Sequence, residues 1–98
     1  MKPVNSVLRQ KSRGSPKLSH EFLDALAELS LPLQFAYLRR HYGVSQLEIA
    51  EHLNIKQAYV SRLEKGGSDH LISIYEKLAE LLHCRLVLIP KGTSLTNK

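Results

Sequence analysis

The chain has 98 residues, 43% of them hydrophobic and 23% charged, with a formal net charge of +5; this allows one small core and excludes a wholly disordered polymer. No apolar run is longer than residues 86–89 and a single cysteine is present, so a membrane-spanning helix, an internal disulfide and a cysteine-built zinc site are excluded. Lys2, Arg9, Lys11, Arg13 and Lys17 all precede the first acidic residue, Glu21, and the remainder carries as many basic as acidic residues; a basic stretch ahead of a neutral domain suits a polyanion such as DNA.

Residues 1–17 mix these cations with Ser12, Gly14, Ser15 and Pro16 and lack a sustained apolar period, which predicts a flexible basic arm with at most a weak strand at residues 4–8. No signal peptide opens the chain, and a cytoplasmic location is expected. A folded domain is expected over residues 18–83. Its first helix starts at Ser19, whose side chain can cap it, and carries Phe22, Leu23, Leu26 and Leu29 on one face. Pro32 is tolerated only near a helix start, so it separates this helix from a second one bearing Leu31, Phe35, Leu38 and Tyr42. Gly43 then supplies a C-terminal stop.

Ser45 and Glu48 have the spacing of a capping box, in which each side chain satisfies a backbone N–H of the other residue. That places a helix start at Gln46, with Ile49, Ala50 and Leu53 on its inner side. Asn54 tolerates left-handed backbone angles, so the helix ends there in a tight corner. On the helix that follows, Val60 and Leu63 point inward while Gln57, Ala58, Ser61, Arg62 and Lys65 form a continuous polar and basic arc. After the Gly66–Gly67 break, Ser68 or Asp69 is expected to cap a last helix carrying Leu71, Ile74, Tyr75, Leu78, Leu81 and Leu82. Residues 84–90 are short, rich in branched apolar side chains and stopped by Pro90, which predicts a strand; residues 91–98 form a tail. Cys84 is expected to act as a small apolar residue.

The segment SQLEIAEHLNIKQAYVSRLEKG resembles the Xre-like helix-turn-helix family that contains the lambda and Cro repressors. The similarity is close over residues 39–66 and looser to Leu82; it departs at Asn54, where the family usually has glycine, and at Lys56, where it often has Ser or Thr. The resemblance implies an all-α, lambda-repressor-like, five-helix DNA-binding domain, here followed by a short C-terminal β-strand that pairs across a dimer. It also implies that residues 46–65 dock with their second helix in the major groove. Gln46 then resembles a phosphate anchor and Lys56 a phosphate contact. Gln57 can offer a bidentate amide to adenine, Ala58 an apolar contact to a thymine methyl, and Ser61, Arg62 and Lys65 contacts to bases or phosphates. By the same resemblance Arg39 pairs with an acidic residue such as Glu48 or Glu64; one step round the helix, Arg40 is expected to be exposed and able to approach a phosphate, and Tyr59, facing away from the centre of the arc, is expected to pack or to make a flanking phosphate contact.

The histidines His20, His41, His52, His70 and His83 have no metal-ligand spacing, no phosphate-binding glycine loop is present, and no nucleophile, base and orienting group can be nominated. Neither an enzyme nor a cofactor or metal is expected. One unit touches few base pairs, so a homodimer on an inverted-repeat operator is expected, joined through Arg85, Leu86, Val87, Leu88 and Ile89 as an antiparallel strand pair. A helical unit followed by such a strand, together with the segment NIKQAYVS, resembles antitoxins of HipB type; that resemblance implies an autorepressor partnered by a kinase-like toxin of HipA type. Two further readings stay open on the sequence: a free-standing or prophage regulator without a toxin, and a protein-interaction module that does not bind DNA.

Overall fold

The local capping signals set most of the architecture. The computed structural model describes residues 18–67 and 69–93; the basic arm over residues 1–17, the Ser68 cap and the end of the tail lie outside them. Among the described residues the chain forms five helices, α1 (His20–Ala27), α2 (Leu31–His41), α3 (Gln46–Leu53), α4 (Gln57–Lys65) and α5 (Ile72–Leu81). The helical class expected from the sequence is thus observed.

Each helix boundary has a physical cause. Phe22 N–H donates to Ser19 Oγ at 3.0 Å, opening α1. This helix ends at Ala27, short of Leu29, because the N–H groups of Glu28 and Leu29 tighten onto the Ala25 and Leu26 carbonyls. Ser30 is extended and Pro32 occupies the first turn of α2. Gly43, at φ 72°, lets Val44 N–H reach the Arg39 carbonyl and its own N–H reach the Arg40 carbonyl, both at 3.0 Å, a Schellman stop.

The start of α5 departs from the expectation. Its N-cap is Leu71, which makes no side-chain cap bond, and neither Leu71 nor Asp69 enters the helix. Packing sets this register instead: Tyr75 and Leu78 are buried on the inner side, and Tyr75 Oη donates to the Leu63 carbonyl at 2.9 Å. Burial, with a smaller contribution from Tyr59, pushes the Tyr75 phenol up, so it remains the neutral donor of that bond.

The core joins Phe35, Val44, Ile49, Ala50, Val60, Leu63, Leu78, Leu81 and Leu82. Ile49, Val60, Leu63, Leu78 and Leu82 are fully enclosed, each stabilising the fold by about 1.5–3 kcal/mol. Helix α4 packs on both α2 and α3, and α1 packs on α2.

Residues 84–90 lie in neither helix nor strand; the expected strand is not formed within one chain. A ladder needs a second strand, and no described segment of the same chain is paired with this one. Leu86 tucks against the core while Val87 is 62% and Leu88 100% exposed. An apolar groove of about 530 Å³ runs between this segment and Ala27, Leu31 and Ile72. Cys84 is half-buried, its Sγ lies 3.3 Å from the Leu82 carbonyl as donor, and burial pushes its thiol up.

Candidate nucleic-acid interface

The corner that aims α4 is built from three short-range devices. Ser45 N–H donates to Glu48 Oε1 at 2.8 Å and Glu48 N–H donates to Ser45 Oγ at 3.0 Å, completing the capping box at the start of α3. At its end Asn54 adopts φ 56° and ψ 48°, which lets Ile55 N–H reach back to the Ala50 carbonyl at 3.0 Å. The small side chain of Ala50 is buried in the core beside this corner.

A buried ion pair locks this corner to α2. Arg39 and Glu64 are 7% and 5% exposed; Arg39 donates from both Nε and Nη2 to the two Glu64 oxygens, the latter at 3.0 Å, and from Nη1 to the Val44 carbonyl at 2.7 Å. Gln46 Nε2 adds a bond to Glu64 Oε1 at 2.9 Å. One carboxylate therefore ties together α2, α3 and α4. Of the two acidic partners implied for Arg39, the structure selects Glu64.

The outward face of α4 is correspondingly free of negative charge. Glu64 is the only acidic residue in this helix, and it is buried and neutralised. Gln57, Ala58, Arg62 and Lys65 are exposed, Ser61 is half-buried, and Lys56 stands exposed at the N-cap. The six expected residues from Lys56 to Lys65 thus share one side of the helix, five of them exposed and Ser61 partly covered. Lys56 makes no side-chain cap bond; Tyr59 N–H turns to the Lys56 carbonyl at 3.0 Å, and a phosphate suits the Gln57 and Ala58 N–H groups ahead of it. Gln46 sits apart: it is half-buried at the start of α3 and turned toward Glu64. Its amide nitrogen retains a second hydrogen for a phosphate.

Two aromatic supports were not expected from the sequence. The Arg62 guanidinium lies 5.4 Å above the Tyr59 ring centroid, and that of Arg40 lies 5.8 Å above Tyr37. Each pair has i, i+3 spacing on a helix, a signal present in the sequence. Tyr59 is packed against the core and makes an edge contact with His70 at 5.9 Å.

Comparison with known proteins agrees with this geometry. A helix-turn-helix family model matches residues 35–89, more than half of the chain. Over 52 residues the chain is 38% identical to antitoxin HigA1 of Mycobacterium tuberculosis (strain CDC 1551 / Oshkosh), and to the same degree to antitoxin HigA1 of strain ATCC 25618 / H37Rv. The match takes 53% of this chain and 35% of each relative, so the chain spans about a third of the length of the curated relatives it matches. No solved structure matches it significantly.

Proposed function

Because the chain belongs to the Xre-like helix-turn-helix family, we propose that it is a sequence-specific repressor of double-stranded DNA, and that it is the antitoxin and autorepressor of a toxin–antitoxin pair. The observation that carries the first part is the open arc of Gln57, Ala58, Ser61, Arg62 and Lys65 on a helix whose one carboxylate is buried. Amide and guanidinium groups on such an arc match the donor and acceptor pattern of base edges, while Lys56 and Lys65 neutralise phosphates. No catalytic role enters this proposal, and a cytoplasmic location is part of it.

The antitoxin part is supported by the relatives' name, antitoxin HigA1. That name differs from the HipB type which the sequence resembles, so the shared element, an antitoxin, is carried forward, with a kinase-like toxin as its specific form. A toxin would bind away from α4, so that toxin and operator are held together. The homodimer is proposed to form through Arg85, Leu86, Val87, Leu88 and Ile89, of which Val87, Leu88 and Ile89 are exposed apolar residues in the single chain.

The test is protection of an inverted repeat in the DNA upstream of the chain's own coding sequence, repeated with the protein encoded beside it. Protection of a defined repeat, retained when the neighbouring protein binds, is the expected result. Indifferent binding to any duplex, or none, would remove the repressor; a neighbour that never associates would remove the antitoxin alone.

A further inference from the structure

We infer that Tyr59 is a positioning residue for DNA recognition, its ring holding the Arg62 guanidinium in the orientation in which it meets the groove. This rests on the proposed role of α4. The support is a continuous chain of ring contacts from core to surface. Tyr75 is buried and anchored by its 2.9 Å bond to the Leu63 carbonyl; His70 meets the Tyr75 ring edge-on at 6.4 Å and the Tyr59 ring at 5.9 Å; Arg62 covers Tyr59 at 5.4 Å. The first three members come from α5, the loop before it and α4, so the last ring cannot swing with the arginine it carries.

The chemistry follows from how a guanidinium stacks. Lying on an aromatic ring it uses its face, and its N–H edge stays available for bidentate donation. A long side chain on an exposed arc otherwise samples many rotamers, and ordering it on binding opposes association. Confinement over Tyr59 removes part of that penalty before DNA arrives.

Binding by four variants and one spectrum test this. Tyr59→Leu keeps the apolar bulk but not the ring; a surface cation–π contact of about 0.5–1 kcal/mol converts to a two- to fivefold loss of operator affinity. Tyr59→Phe retains the ring and is expected to bind as the wild type does. In an Arg62→Ala background, Tyr59→Leu is expected to cause no further loss. In the DNA-free protein the Arg62 δ-methylene protons should carry an upfield ring-current shift, lost in Tyr59→Leu. Equal losses from Tyr59→Leu with and without Arg62, or unshifted δ-protons in the wild type, would overturn the positioning role while leaving DNA recognition intact. Unimpaired operator binding by Arg62→Ala would instead strike the proposed role of Arg62 itself.

Discussion

Glu64 accepts hydrogen bonds on both carboxylate oxygens from two different helices, although it is almost completely buried. An ion pair in such a place contributes little net stability against an apolar pair of equal volume, yet removing one member leaves the other charged and unmatched. Glu64→Gln is therefore expected to lower unfolding free energy by about 3–5 kcal/mol, a large share of the total for so small a domain. Chemical denaturation measures this, and a change below about 1 kcal/mol would show that Arg39 finds other partners. Replacing both residues together with Met and Leu should recover much of the loss. The value of the pair is geometric: it holds α4 at one angle to α2 and keeps the single acid of that helix off the DNA-facing side.

At the scale of the helix, Lys56 is a poor cap in a place where Ser or Thr would accept a backbone hydrogen bond. The loss of local stability is explained if the ammonium serves a phosphate. Lys56→Ser should then act in opposite directions, raising stability by about 0.5–1 kcal/mol while lowering operator affinity and reducing the slope of log affinity against log salt by about 1. Unchanged affinity and slope would make Lys56 a bystander. The same helices show what was legible in the sequence. The capping box at Ser45 and Glu48, the corner at Asn54 and the polar arc of α4 depend on neighbours within one or two turns, and all are found where the residue pattern puts them. The start of α5 was not legible, because distant packing of Tyr75 and Leu78 overrides the cap at Asp69. The inward turn of Gln46 to Glu64 bridges 18 positions, beyond any local pattern. The aromatic supports under Arg40 and Arg62 were legible in principle, as tyrosines three residues earlier.

For the whole molecule, the unfinished feature is the segment from Cys84 to Pro90. Val87 and Leu88 stand largely in solvent beside an apolar groove, and pairing with the same segment of a second copy would cover them and supply a hydrogen-bond ladder that no other described segment of the chain provides. A shortened chain ending at His83 is expected to be monomeric by light scattering, with its helical content retained; a tight dimer of that shortened chain would place the interface elsewhere. Dimerisation would set two copies of α4 about one helical turn of DNA apart, 34 to 36 Å, as a two-fold operator requires. The claim underlying all of this is that α4 meets the edges of bases. The direct measurement is the affinity of the wild type, Gln57→Ala and Arg62→Ala for the protected repeat and for repeats altered one base pair at a time, with thermal unfolding recorded alongside. The account predicts that each variant folds normally, binds the natural repeat about 5- to 150-fold more weakly, and becomes indifferent to substitution at its own base pair. Variants that bind like the wild type and retain its full sequence preference would contradict it.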